Sequence, residues 1–227
     1  MNEVLMEIAK KELKVTFKSK SAILSMLLAI GIPIFVLVPL LPAAEKGFGG
    51  SYLILLLLLL VPIGITSPVG MNAFPNEIRW RTIKSLLAAP VSEKEIFVGK
   101  SLACIVAGLV AEACLAAVIL AFLPIPVDVP VLITLLVIGP LLFMFATFLI
   151  VLTTSKFPSS AEGGAAGFIP VGGIMGIFFL CFFLQMVLQM DPALTSIMIA
   201  SVVAALTFLV YFVATKWFDR ERLVTAL

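Results

Sequence analysis

Residues 76–100 read NEIRWRTIKSLLAAPVSEKEIFVGK, and they interrupt a chain that is otherwise apolar almost throughout. This is the longest polar interval in the sequence, and it carries five of the 15 Lys and Arg residues. Hydrophobic residues make up 62% of the 227-residue chain and charged residues only 12%, with a mean hydropathy of +1.24. A soluble domain is nearer half apolar and a quarter charged. The composition therefore describes an all-α integral membrane protein with one transmembrane domain and no length left for a soluble catalytic one. A net charge of +2 is too small to point to nucleic acid.

Two apolar segments precede the interval and four follow it. The spans are expected at about residues 21–41, 52–72, 100–123, 131–154, 161–190 and 193–215. The fifth is longer than one crossing needs. Its first half, GGAAGFIPVGGIMG, is rich in glycine around Pro170, which predicts a break or a re-entrant start packed against protein. Pro33 and Pro39 are expected to kink the first span. Residues 1–20 pattern as an amphipathic helix on the membrane surface. Leu5, Ile8, Leu13 and Phe17 fall near one side, with Lys10, Lys11, Lys14 and Lys18 mostly elsewhere. A frayed tail is the alternative there. The apolar run that follows is too long for a signal peptide.

Six spans place both ends on one side of the bilayer, and the cations decide which. Five Lys residues lie in the N-terminal segment, five Lys and Arg in 76–100, one in the loop at 156 and three in the tail, against Lys46 alone on the opposite face. The positive-inside rule puts the termini and the polar interval in the cytoplasm of a multi-pass protein of the cell membrane.

Within the interval, residues 77–88 form a helical wheel with Glu77, Arg81, Lys84 and Ser85 on one side. Ile78, Trp80, Thr82, Ile83, Leu86 and Leu87 cover most of the rest, and Arg79 sits among them. Pro90 ends this helix. Ser92 to Glu95 is Ser-x-x-Glu, a capping box that starts a second helix running into the third span. A short surface helix, a tight turn and a helix continuous with a span can carry a push at the cytosolic surface into the membrane. A plain amphipathic connector on the headgroups is the alternative.

The order of Glu77 and Arg79, Thr82, Leu86 and Leu87, then Pro90, Val91 and Ser92, then Gly99 and Lys100 resembles the ABC type-2 transporter permease family. The likeness extends over the whole chain. That family has an N-terminal surface elbow helix, six transmembrane helices, cytosolic ends and a glycine-rich approach to the fifth span. It also has a cytosolic coupling helix between spans two and three. The resemblance implies an elbow at 1–20 and a six-span permease domain at 21–227, with its coupling segment at 76–96. It implies that Glu77, Arg79, Trp80, Arg81, Thr82, Lys84, Leu86, Leu87 and Pro90 dock a separate ABC ATP-binding subunit. It implies a second permease copy, identical or not. The family often has glycine where this chain has Arg81, and glutamate where it has Lys84, changes that bear on which ATPase is recognised.

No G-x-x-x-x-G-K-[ST] loop occurs in the sequence. Under the resemblance this chain binds no cofactor, and ATP and Mg belong to the partner. Loops on the outer face of only about five to nine residues offer no receptor for a binding protein, which favours export of a hydrophobic or amphipathic substrate. A membrane-embedded enzyme is not expected, since the chain lacks histidine, a G-x-S-x-G elbow and a paired-glutamate motif.

Glu112 is the conspicuous intramembrane charge, about 18 Å along a helix from Lys100 at ~1.5 Å per residue. A carboxylate there costs roughly 2.5–3.5 kcal/mol on insertion scales, so it should face protein or a wet cavity. Cys104, Gly108 and Glu112 recur every four residues, with Ala107 and Ala111 beside them, giving a small, closely packable face. Glu112 either lines a substrate path or couples to a proton, or else it makes an interhelical hydrogen bond. A self-contained secondary transporter with Glu112 as coupling site is the alternative function. Gln185 and Gln189, set in FFLCFFLQMVLQM, extend the candidate substrate path, with helix packing as their alternative. Cys104, Cys114 and Cys181 fall in apolar segments and read as small buried hydrophobes, not a metal site.

Overall fold

The computed structural model describes residues 2–18, 20, 23–24, 27–28, 31, 35, 70, 92–122, 128–156, 168–187 and 190–217. Among them there are helices and no strands. Most of the first two expected spans lies outside these residues, as do the segment 77–90 expected to form a coupling helix, the glycine-rich stretch before 168 and the tail after 217.

Five helices are described. They are α1 (Asn2–Lys18), α2 (Glu93–Phe122), α3 (Val129–Lys156), α4 (Phe168–Phe182) and α5 (Pro192–Trp217). Three of them are long and apolar enough to cross a membrane: the stretch Lys94–Val118 of α2, α3, and α5. Exposed Val110, Leu136 and Phe208 give them outward faces fit for lipid rather than water, because a bilayer removes the cost of exposing such side chains.

Local chemistry sets where the helices begin. At α2, the Ser92 amide donates to Glu95 Oε2 at 2.8 Å while the Glu95 amide donates to Ser92 Oγ at 3.3 Å. This is the reciprocal capping box read from Ser-x-x-Glu. At α3, Asp128 caps by accepting the Val131 amide at 2.9 Å, with Pro130 in the first turn. At α5, Asp191 accepts the amides of Ala193 and Leu194, with Pro192 at the first helical position, where its missing N–H costs nothing.

Helix α3 holds a feature the periodicity did not indicate. Residues Thr134–Ile138 form a π turn in which the Gly139 amide bonds the Thr134 carbonyl. Pro140 is the physical cause. It has no N–H, and its ring crowds the carbonyl four residues back, so the helix widens by one residue just before it. A second π turn, Phe183–Val187, follows α4.

The core lies between α3, α4 and α5. Ile138, Leu142 and Ala146 meet Ile174, Ile177 and Cys181, with Ile199 and Val203 closing the third side. Most of the described buried hydroxyls are satisfied by their own helices, Ser101 and Thr147 excepted. Thr154 donates to the Ile150 carbonyl at 2.9 Å, Ser196 to Pro192 at 2.8 Å and Thr207 to Val203 at 2.7 Å. An apolar interior favours this, since back-bonding to the helix's own carbonyls replaces the water those groups lose. Phe97 stacks on Phe148 and Phe148 meets Tyr211 at a tilt of 51°, with centroids 6.1 and 5.4 Å apart, so the three rings tie α2, α3 and α5 together. Gly70, in the expected second span, rests against Ile150 of α3.

Helix α1 packs along α2. Its packing face takes in Ile8 from the stripe expected to lie on the membrane. Ile8, Ala9 and Glu12 turn inward, while Phe17 is 56% exposed. Met6 and Phe17 are turned outward, on the same helix as the exposed lysines.

Candidate functional site

The site is built where α2 crosses α3. The face predicted from Cys104, Gly108 and Glu112 is the one that meets α3. At Gly108 the Phe143 ring of α3 fills the place where a side chain would stand, and at Gly139 of α3 the Glu112 carboxyl of α2 does the same. Each helix thus offers a glycine to a large side chain of the other, one turn apart, in antiparallel register. This brings the backbones close enough for dispersion contacts to hold a seam that hydrophobicity cannot hold in lipid.

Glu112 is 4% exposed, and neither of its carboxyl oxygens has a hydrogen-bond partner among the described residues. Oε1 lies against Gly139, beside the π turn, and the Thr134 carbonyl oxygen is 3.5 Å from the position a Gly139 side chain would take. The interhelical hydrogen bond considered for this residue is absent among the described residues; its carboxyl makes a close contact with backbone instead. Ser101 Oγ and Thr147 Oγ1 are the other described buried side-chain oxygens without a partner.

No protein-family model matches the chain, and no curated protein matches it. The permease likeness therefore rests on the sequence alone.

The expected docking residues Glu77, Arg79, Trp80, Arg81, Thr82, Lys84, Leu86, Leu87 and Pro90 lie outside the described residues, as does Gln189. Gln185 falls in the π turn Phe183–Val187, and its side chain is outside the description. Cys104 and Cys181 are buried as free thiols, whereas Cys114 is exposed on the outward side of α2. Among the described residues no group of three His, Cys, Asp or Glu side chains is placed to hold a metal.

One charged contact escaped the sequence reading. Lys100, counted there as a cytoplasmic cation, has a fully enclosed side chain, and its ammonium stands 2.6 Å from the Glu12 carboxylate of α1. Next to it Ile8 packs onto Gly99, with Cγ2 2.9 Å from where a side chain would begin. The available signal was Glu12 itself, an acid set between Ile8 and Leu13 on the apolar side of α1.

Proposed function

We propose that this chain is the membrane-spanning permease subunit of an ABC exporter. It would move a hydrophobic or amphipathic substrate out of the cytoplasm, powered by ATP hydrolysed on a separate ATP-binding subunit and working beside a second permease copy. Both termini would face the cytoplasm. The chain itself would perform no chemistry.

The observation that carries this reading is the continuity of α2. A closed capping box at Ser92 and Glu95 starts a helix that runs for 30 residues, Glu93–Phe122, from the end of the polar interval into the apolar region without a break. The Lys100–Glu12 pair joins α1 to its first turns. A displacement that reaches Ser92 has a stiff path inward along α2.

The test is first whether an ATP-binding-cassette protein is encoded beside this chain, and then co-expression with it, followed by co-purification and ATP-dependent uptake into inverted vesicles. Leu86→Asp and Arg81→Glu should lower both recovery of the partner and stimulation of its ATPase. Undiminished recovery with normal stimulation refutes docking at 77–90. The buried, unpartnered carboxyl of Glu112 favours one second reading, a secondary transporter coupled through that residue; uptake driven by an ion gradient with no ATP would select it.

A further inference from the structure

The seam between α2 and α3 holds all the described buried side-chain oxygens that lack a hydrogen bond: Ser101 Oγ, Thr147 Oγ1 and both oxygens of Glu112. Ser101 precedes Gly108 by seven residues and Thr147 follows Phe143 by four, so helical periodicity places both on the facing stripes. The seam therefore carries polar groups from near the start of α2 to Glu112, about 16 Å at ~1.5 Å per residue.

Opposite Glu112, α3 is interrupted. The Gly139 amide is taken by the Thr134 carbonyl, and Pro140, next in the chain, has no amide N–H. The following carbonyl, that of Leu135 in π spacing or of Leu136 in α spacing, is left without a helical donor. Among the described residues the groups left unmet at this level are acceptors: the two carboxyl oxygens of Glu112, the carbonyl that Pro140 deprives of a donor, and the second lone pair of the Thr134 carbonyl. The described cations of the neighbouring helices, Lys156 and Lys216, stand in the last turns of α3 and α5 and do not reach it. A carboxyl beside the backbone oxygens of an interrupted helix, in apolar surroundings, is the ligand set that monovalent cations take in membranes. A second buried acid, as a divalent metal would favour, is not there among the described residues.

We propose that Glu112 and the π turn of α3 form a binding site for a monovalent cation, either a metal ion from solution or the ammonium group of a transported molecule. The second source rests on the transport reading above; the first does not.

The full-length protein in lipid nanodiscs tests this. Its thermal unfolding is followed in choline chloride, then with choline replaced at constant ionic strength by sodium, potassium or ethylammonium. The midpoint should rise by about 3–5 °C in at least one of the three. Glu112→Gln should abolish the rise. Pro140→Ala, which returns an amide to the turn, should at least halve it, and it carries the test if Glu112→Gln does not fold. A rise with sodium or potassium assigns the site to a metal ion; a rise with ethylammonium alone assigns it to an ammonium group. Equal midpoints in all four salts, or an undiminished rise in the variants, overturn the proposal. None of these outcomes involves the ATPase, so failure here leaves docking at 77–90 untouched, and the reverse holds.

Discussion

Lys100 on α2 and Glu12 on α1 form an ion pair with the ammonium and carboxylate 2.6 Å apart, the lysine side chain fully enclosed and the glutamate 17% exposed. The asymmetry of exposure predicts an asymmetry of cost. Glu12→Gln removes the carboxylate from an enclosed ammonium, whereas Lys100→Met leaves a carboxylate that can still turn toward water. The first should destabilise by about 2 kcal/mol and the second by roughly half that, scaled down from fully buried pairs because Glu12 is in part solvated. The double variant should recover part of the loss. Denaturation in detergent or nanodiscs measures all three, and equal single-variant costs would show that enclosure of Lys100 does not govern the pair.

The reciprocal glycines set the distance between α2 and α3. Gly108→Ala would drive a methyl group into the Phe143 ring, and Gly139→Ala one into the Glu112 carboxyl. Each should cost about 1–3 kcal/mol through overpacking. Phe143→Leu should rescue Gly108→Ala while doing nothing for Gly139→Ala. A double-mutant cycle with a coupling near zero for Gly108 and Phe143 would contradict the seam.

Phe148 sits between Phe97 and Tyr211 and is only half-buried. Phe148→Ala should therefore fall below the full range for core aromatics, at about 2 kcal/mol. Phe148→Leu should restore most of the area and little of the ring contact. Comparing the two by thermal unfolding separates burial from stacking.

The capping box has a stability role and, under the proposed function, a mechanical one. Ser92→Ala should cost about 1 kcal/mol, since it removes the acceptor of the Glu95 amide, and Ser92→Asp should keep most of it. If α2 transmits motion from residues 77–90, Ser92→Ala should lower ATP-driven uptake more than it lowers the amount of folded protein in the membrane. Parallel losses would confine the box to stability.

Much of the architecture was legible beforehand because it is local. Ser92 and Glu95 are three residues apart and close their box whatever lies around them. Asp128 with Pro130 and Asp191 with Pro192 start their helices just as locally, a signal left unread, while the apolar runs after them are long enough to name α3 and α5 directly. The small face of Cys104, Gly108 and Glu112 was legible as a face, because it needs only the helical period. Its occupant was not, because Phe143 and Gly139 belong to another helix. Pro140 was a signal left unread: glycine and proline in mid-span mark an interrupted helix, and the π turn opposite Glu112 follows from them.

The sequence by itself determined the class of the protein, the start of each described long helix and the face that α2 turns to a neighbour. These depend on composition, on period and on hydrogen bonds between residues a few positions apart. Tertiary structure alone decided that Lys100 is enclosed by a partner 88 residues away, that Gly139 receives the carboxyl of Glu112, and that this carboxyl has no hydrogen bond among the described residues. The physical reason is that a buried charge or orphaned oxygen is a property of what surrounds it, and in this chain the surroundings come from helices that only folding brings together.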